Sequence, residues 1–514
     1  MIKPKSLFSN ALWNISATIL MALAGFLIVP VLIKEIGIEN FGIYAIILMV
    51  GGFAQLQSLG LGEATLKYVS QYYAKNDIKG VNRVLGSTLT VYIFSGTIIS
   101  GLIILFSTYI IGLFKLSPEN FSNASYALRV SGASFLITMF SSAFKTIPEA
   151  VQRYDVLNKY NLIMMILRYT SMYFVATLGG GIVGLTYLTL VSAIFDVFIY
   201  GFLAKKMIPE ISLYPNFQKH GIHEVFGYGI FSFLNDLIQK ISTYVDQFVL
   251  GVFFSAASVG YLTAPKDLII KAQGLTGAVS QALFPRFSSM EEGEEMKRLY
   301  VTSLWVLTIF SIIIFVPLAI IIPYFLSKWL TPAFAQNGSS FARLFCLGVA
   351  FNGGVSAYFA LLKGTGRIKW LTNIISTLTV ISIFSSFILV YKFGIIGSGI
   401  RILLFSWVGS TLCIYIGKKV FLDFNTLRVA FETTIVPVFL SLVFFYMASS
   451  VLHNQNISTW WEIIYFYTIL LGLLVLIQFV VNWLIYKEEA ISLILINKIK
   501  YQASNLILRL HKNV

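Results

Sequence analysis

Fourteen apolar segments, each close to the length that crosses a bilayer as one α-helix, constrain this chain more than any motif does. A helix needs about 20 residues to span the hydrocarbon core. The predicted spans are 11–33, 41–62, 84–113, 125–146, 160–178, 182–203, 226–253, 258–284, 301–326, 339–361, 370–391, 394–416, 429–452 and 461–485. The composition agrees, because 11% of the residues are charged and a soluble domain has about 25%. We therefore predict an all-α polytopic membrane protein.

The positive charges lie mainly in alternate loops. With the N-terminus inside, 26 of the 37 Lys and Arg residues fall in cytoplasmic loops and tails, and four fall in outer loops. Because loops rich in Lys and Arg stay in the cytoplasm, we predict that both termini are cytoplasmic. The same distribution accounts for the net charge of +15, and we expect no nucleic-acid partner.

Short motifs indicate an internal repeat of parallel halves. Phe41–Tyr44 is similar to Val259–Tyr261, and Gly181–Gly184 is similar to Gly394–Gly397, at offsets of 218 and 213 residues. Transporters built of such halves have their substrate site between them. The predicted regions are an N-lobe with spans 1–6 at 1–204, a C-lobe with spans 7–12 at 205–420, two appended helices at 421–486 and a cytoplasmic amphipathic tail at 487–514. A further surface helix is expected at Glu63–Arg83.

Span 7 carries charges where lipid would penalise them. A charge at the bilayer centre costs roughly 2.5–3.5 kcal/mol on insertion scales. The polar residues of this span share one face at helical spacing: Ser232, Asp236, Lys240, Thr243 and Gln247, with Asp246 at the edge. Span 8 repeats the pattern with Thr263, Asp267 and Lys271. Two neighbouring helices with charged faces predict a hydrated cavity among the helices.

Several motifs together point to one family. They are GIENFGIY at 37–44, GLG at 60–62, EAVQRYDVLNKYN at 149–161, DQFVLGVFFSAASVGYL at 246–262, FPRFS at 284–288 and LLKGTGRIKWLTN at 361–373. In these motifs the chain resembles the polysaccharide (Wzx-type) flippases of the multidrug/oligosaccharidyl-lipid/polysaccharide (MOP) exporter superfamily. The resemblance implies two six-helix lobes around a central cavity lined by spans 1, 2, 7 and 8.

The resemblance also implies a function. A polyprenyl-pyrophosphate-linked oligosaccharide repeat unit would be exported across the cytoplasmic (inner) membrane of a bacterium, by alternating access, for O-antigen, capsule or exopolysaccharide synthesis. The implied partners are this lipid-linked glycan and membrane lipid, with the polysaccharide polymerase and the chain-length machinery as further candidates. No cofactor or metal is expected, and coupling to protons or sodium is left open.

Two other functions compete with this one. A cation-coupled small-molecule or drug antiporter of the same superfamily is the alternative, and it would favour twelve spans and a cavity dominated by acids. A glycan polymerase or ligase needs an active site outside the membrane, usually on a large outer loop. No outer loop of this chain exceeds about a dozen residues, so we expect that the protein is not an enzyme.

Charged and polar residues within the spans form the candidate site. Cations can hold the pyrophosphate, and a guanidinium group does so with bidentate hydrogen bonds. The substrate-binding candidates are Lys240, Lys271, Arg168, Arg401, Gln247 and Ser232. The candidates for ion coupling are the carboxylates Asp236, Asp246, Asp267 and Asp196, because a carboxylate that alternates between hydrated and occluded states can carry a proton.

A purely structural role for the same charges stays open. Asp236 and Lys240 are four residues apart, as are Asp267 and Lys271, so that each pair shares one helix face. Each pair could therefore neutralise itself within the membrane without contacting any substrate.

Overall fold

The structure is a computed structural model that describes residues 7–54, 61–217, 237–281, 283–421, 425–453, 455 and 457–486. The first helices are α1 (Leu7–Ala54), α2 (Leu61–Ala74), α3 (Ile78–Gly112), α4 (Pro118–Ala150), α5 (Tyr154–Thr177) and α6 (Gly181–Met207). They are followed by α7 (237–253), α8 (Ala256–Gln281), α9 (Leu283–Ser288), α10 (Glu294–Trp329), α11 (Pro332–Phe351) and α12 (Val355–Gly364). The last are α13 (Ile368–Phe393), α14 (Ile395–Val420), α15 (Thr426–Ala430), a π-helical turn (Phe431–Ile435), α16 (Val436–His453) and α17 (Trp460–Tyr486). No β-strand occurs in the described ranges.

Helices cover the predicted spans wherever the chain is described. Spans 1 and 2 are the two parts of α1, which is broken at Gly37, where φ is 81° and ψ is 161°. Glycine adopts a positive φ without the steric penalty that a Cβ atom brings. Span 10 is divided into α11 and α12, which meet at a bend of 43°. The first part of predicted span 7 and the predicted tail at 487–514 lie outside the described residues.

Nine helices of the described ranges are long and apolar enough to cross a membrane by themselves, or ten if α11 and α12 count as one span. This number is below fourteen partly because the first part of predicted span 7 lies outside the described residues, and partly for physical reasons. α1 contains two predicted spans, and α8 carries Lys266, Asp267 and Lys271 within one helix. The prediction of an all-α polytopic membrane protein with about fourteen helices is confirmed.

The chain forms two compact units. The first comprises the described residues of Met1–Ala264 and Thr379–Gly394. In it α4 packs along α3 and α6, and α2 packs on α3 and α4. The core of these four helices includes the buried side chains Leu61, Tyr92, Met139, Ile147 and Leu203. The predicted surface helix at Glu63–Arg83 is therefore α2 with the start of α3, and its apolar face packs on the protein.

The second unit comprises the described residues of Pro265–Leu378 and Ile395–Val514. Here α11 packs between α10 and α14, and α16 and α17 pack on α10. The buried hydroxyl of Tyr300 donates a 2.6 Å hydrogen bond to the carbonyl of Cys413, which joins α10 to α14. Thr459 and Glu462 form a reciprocal capping box at the start of α17, with hydrogen bonds of 3.0 and 3.2 Å.

Helix boundaries repeat at a constant offset. α4 begins at Pro118 and α11 begins at Pro332, and each proline occupies the first turn of its helix, where its missing N–H costs nothing. α4 ends at Ala150 and α12 ends at Gly364. Both pairs are 214 residues apart, which agrees with the offset of the sequence motifs.

The turns after these helices share an unusual backbone. Gln152 and Gly366 have φ values of 58° and 72°, and Gly181 and Gly394 have φ values of 55° and 57°. Few residues adopt positive φ, so its recurrence at matched positions supports the internal repeat. The predicted lobe boundaries at 204 and 420 stay a prediction.

Candidate functional site

The first unit contains an open cavity of about 470 Å³ among α1, α4, α5, α6 and α7. Its polar lining residues are Tyr44, Thr138, Arg168, Thr189, Ser192, Asp196 and Tyr244. Its apolar lining residues are Leu48, Gly51, Gly52, Phe135, Met172, Leu185, Leu188 and Ala193. Binding sites for small molecules combine such apolar walls with a few polar groups. The cavity therefore offers charged groups to a ligand within helices that are apolar elsewhere.

An ion pair between two helices forms the charged part of this cavity. Arg168 of α5 donates a hydrogen bond through Nη2 to the Oδ2 atom of Asp196 on α6. Tyr160 of α5 donates a 2.7 Å hydrogen bond to the other oxygen, Oδ1, of the same carboxylate. Asp196 thus has a partner at each oxygen, and its charge is balanced by Arg168.

A second tyrosine supports this arrangement. The rings of Tyr160 and Tyr200 meet edge to face, with centroids 5.0 Å apart. Tyr200 donates a 2.8 Å hydrogen bond to the Oδ1 atom of Asn161. Because α5 and α6 form an antiparallel hairpin around the turn at 178–180, contacts at several levels hold the two helices in one register.

Arg168 retains donors that Asp196 does not occupy. A guanidinium group has five N–H donors, and the Nε atom of Arg168 is buried without a hydrogen-bond partner among the described residues. The side chain is 42% exposed, whereas that of Asp196 is 16% exposed. The exposed part of the guanidinium can therefore contact an anionic ligand in the cavity without a change of helix packing.

Lys240 lies beside the same cavity. Its Nζ atom is 6.0 Å from the ring centroid of Tyr244, one turn further along α7. Tyr244 lines the cavity and also contacts Phe53 of α1, with ring centroids 5.7 Å apart. A cation over an aromatic face at this distance is favourable, so Tyr244 connects a second predicted cation to the cavity wall.

Two other predicted residues of α7 lie in packed positions. Gln247 is buried and donates a 2.9 Å hydrogen bond to Thr263 of α8. Asp246 is buried and accepts a hydrogen bond from Ser386 of α13. Neither side chain lines the cavity that contains Arg168 and Asp196.

The remaining predicted residues belong to the second unit or are not described. Asp267 and Lys271 are both exposed on α8, and the described residues contain no ion pair between them. Arg401 is buried on α14. Ser232 and Asp236 lie outside the described residues. The substrate-binding and ion-coupling roles of all ten residues stay predictions.

The comparison with family models decides the family. The model of the polysaccharide biosynthesis protein family matches residues 7–291, which is more than half of the chain. The chain belongs to the polysaccharide biosynthesis protein family. This result confirms the family resemblance that the sequence motifs indicated.

Relatives of this family member span most of its length. The "Putative O-antigen transporter" of Shigella flexneri is 20% identical over 421 residues, which are 79% of this chain and 99% of that protein. An uncharacterized membrane protein of Methanocaldococcus jannaschii is 23% identical over 417 residues, which are 76% of this chain and 79% of that protein.

Solved structures show which fold this family member has. The inward closed conformation of the lipid II flippase MurJ is 17% identical with a TM-score of 0.71, and the match covers 91% of this chain and 98% of that one. An inward-facing multidrug resistance MATE family transporter of the MOP superfamily is 16% identical with a TM-score of 0.60, and the match covers 80% and 98%. At such low identity the likeness shows the fold alone, and this fold is the one that the motifs implied.

In this polysaccharide biosynthesis protein, sequence reasoning missed the tyrosines of the site. Tyr44, Tyr160 and Tyr244 line the cavity or contact its charges, but the candidate site predicted from the sequence contains no tyrosine. A signal was present, because Tyr160 and Arg168 lie two turns apart on one face of α5. Asp196 and Tyr200 likewise lie one turn apart on one face of α6. The pattern of a polar aromatic residue at helical spacing from an intramembrane charge identifies both Tyr160 and Tyr200.

Proposed function

We propose that this protein is a flippase that moves a polyprenyl-pyrophosphate-linked oligosaccharide repeat unit across the cytoplasmic membrane of a bacterium. The repeat unit would serve the synthesis of a surface polysaccharide such as O-antigen, capsule or exopolysaccharide. The observation that carries the proposal is the cavity with the Arg168–Asp196 ion pair in a member of the polysaccharide biosynthesis protein family. The relative named as an O-antigen transporter, covered over 99% of its length, supports this substrate class.

The mechanism that we infer is an exchange of anions at Arg168. In the resting state Asp196 balances the guanidinium, which avoids an unpaired charge within the membrane. A pyrophosphate that enters the cavity competes for the same guanidinium, and Tyr160 retains Asp196 through its hydrogen bond. When the glycan leaves, Asp196 again pairs with Arg168. The exchange keeps the arginine paired throughout alternating access, and the displaced carboxylate of Asp196 keeps the hydrogen bond from Tyr160 until the substrate leaves.

The orientation is part of the proposal. The distribution of Lys and Arg supports a cytoplasmic position for both termini. The substrate would therefore load from the side that carries most of the positively charged loops. Long-range attraction by these loops would raise the local concentration of an anionic lipid at the entrance.

Lipid analysis of depleted cells tests the function. When this protein is depleted in its host, we expect a polyprenyl-pyrophosphate-linked glycan to accumulate on the cytoplasmic side while surface polysaccharide declines. Re-expression of the wild-type chain should reverse both changes. Depletion without accumulation, with surface polysaccharide intact, would exclude the flippase. It would favour the cation-coupled antiporter, because the structural similarity to a MATE family transporter is also compatible with that function.

A further inference from the structure

A second cavity of the first unit, of about 540 Å³, shares no residue with the cavity around Arg168. It lies among the end of α2, the turn between α4 and α5, and the end of α6. Its lining includes Tyr73, Val151, Arg153, Val156, Lys206 and Met207. Nothing in the proposed transport step uses these side chains.

The depth of this cavity in the membrane follows from the predicted spans. Span 6 ends at 203, and Lys206 and Met207 follow within one turn. Span 5 starts at 160, and Val151, Arg153 and Val156 precede it. By the positive-inside rule these ends face the cytoplasm. The cavity therefore lies where the headgroups of the cytoplasmic leaflet lie.

The residues that line this cavity form an apolar part and a positively charged part. Val151, Val156 and Met207 form an apolar part, whereas Arg153 and Lys206 provide cations. Tyr73 is 37% exposed, and tyrosine is enriched at the membrane–water interface because its ring is apolar and its hydroxyl is polar. A ligand that matches this lining has an anionic end and an apolar end.

The two cations differ in how they are held. Arg153 directly precedes α5, and its Nε and Nη2 atoms donate to the carboxylate of Asp155 at 2.9 and 3.3 Å. Asp155 thereby balances most of the charge of Arg153. Lys206 is exposed, and within the described residues it has no acidic partner. The cavity is therefore positively charged, mainly through Lys206, with a fixed guanidinium beside it.

We propose that this cavity binds one anionic phospholipid of the cytoplasmic leaflet. The phosphate would contact Lys206 and the free edge of Arg153, and the start of an acyl chain would pack on Val156 and Met207. Basic pockets between helices on the cytoplasmic side are suited to anionic headgroups. The cavity volume falls within the range of ligand sites. Because this lipid is not the transported glycan, the site stands or fails independently of the flippase proposal.

Competition between two lipids tests the site. The purified full chain is mixed with equal amounts of phosphatidylglycerol and phosphatidylcholine, and bound lipid is counted by native mass spectrometry. The key variant is Lys206→Gln, and the matched control is Lys205→Gln, because Lys205 is an exposed neighbour on α6 that does not line the cavity. We expect the preference for phosphatidylglycerol to fall about fivefold in Lys206→Gln, the size of one basic contact with an anionic headgroup. Lys205→Gln and Lys206→Arg should retain it.

A second variant separates the site from surface charge. Val156→Trp fills the apolar part of the cavity and leaves both cations in place, so we expect it to lose bound phosphatidylglycerol as well. Equal loss in Lys205→Gln and Lys206→Gln would overturn the proposal in favour of general attraction to a basic surface. Displacement of phosphatidylglycerol by inorganic phosphate alone would also overturn it, because the ligand would then be a free anion and not a lipid.

Discussion

Asp246 of α7 accepts a hydrogen bond from Ser386 of α13, although 140 residues separate them in the chain. Both side chains are buried, with exposures of 2% and 0%. A carboxylate in such a position is stabilised by each donor that contacts it, since burial removes its hydration. This contact therefore joins two helices of the first unit at a residue that was also a candidate for ion coupling.

Removal of the hydroxyl of Ser386 should destabilise the protein. We expect Ser386→Ala to lower the free energy of unfolding by about 1.5–3 kcal/mol, the usual contribution of a hydrogen bond to a charged group. The matched control is Ser385→Ala, because the hydroxyl of Ser385 donates to the carbonyl of Ser382 in its own helix. Thermal unfolding of both variants in detergent measures the difference. Equal stability of the two variants would show that the Asp246–Ser386 contact contributes nothing.

Substitution of Arg168 should stop transport without unfolding the chain. Arg168→Gln removes the charge that holds the pyrophosphate in the proposed exchange, and we expect loss of export with normal insertion in the membrane. Arg129→Gln is the control. Arg129 donates to Ser107 and Thr108 at 2.9 and 3.0 Å and does not line the cavity. Export by complemented depleted cells is the measurement, and full export by Arg168→Gln would remove this residue from the mechanism.

The partner residue should show the opposite defect. Asp196→Asn removes the anion that pairs with Arg168 again when the substrate leaves. Tyr160 can still donate a hydrogen bond to the amide oxygen of the new side chain. We expect tighter retention of the lipid-linked glycan by the purified variant, together with slower export. Lipid that copurifies with the protein reports retention. If Asp196→Asn binds less glycan than the wild type, the carboxylate does not compete with substrate.

Lys240 and Lys271 extend the test to the other predicted cations. We expect Lys240→Gln and Lys271→Gln each to abolish export while the protein remains inserted. Lys392→Gln, at an exposed position in a predicted outer loop, should export normally. Normal export by both of the first two variants would refute a mechanism based on cations within the spans.

The ion pair at the start of α5 predicts a dependence on pH. Hydrogen bonds from Arg153, opposed by partial burial, lower the pKa of Asp155 below its ordinary value of 3.8. A carboxyl with a lowered pKa in the folded state stabilises that state above its ordinary pKa, and the contribution is lost as the pH falls through the folded value. We therefore expect Asp155→Asn to reduce stability near neutral pH and to make little difference at pH values below the folded pKa. Melting temperatures of both proteins across the acidic range measure this, and parallel curves would contradict it.

The membrane fold and the charged residues within the spans could be predicted from the sequence, because both depend on local rules. Apolar length and loop charge need no tertiary information, and the repeat was visible in short motifs that recur as matched turns at Gln152 and Gly366. The pairing of Arg168 with Asp196 was not predicted. The two residues are 28 positions apart on different helices, and only helix packing decides that their side chains meet.

The break between α11 and α12 was also not predicted. Its matched helix α4 is continuous from Pro118 to Ala150. At the break, a Cβ atom on Gly353 would lie 2.4 Å from the carbonyl oxygen of Leu307, so the close approach of α10 requires glycine there. The span does carry Asn352, Gly353 and Gly354, which are residue types that favour turns, but Leu307 and Ser311, the neighbours of Gly353, lie more than 40 positions earlier in the chain. Periodicity within the span could not reveal them.

Transport by the purified protein is the most direct test of the central claim. The lipid-linked glycan that accumulates in depleted host cells is reconstituted in vesicles with the wild-type chain, with Arg168→Gln or with Arg129→Gln. A glycan-specific probe outside the vesicles then measures how much glycan becomes accessible with time. We expect rapid exposure with the wild type and with Arg129→Gln, and exposure no faster than in protein-free vesicles with Arg168→Gln. Equal rates for protein-free and wild-type vesicles would contradict the proposal that this protein flips the glycan.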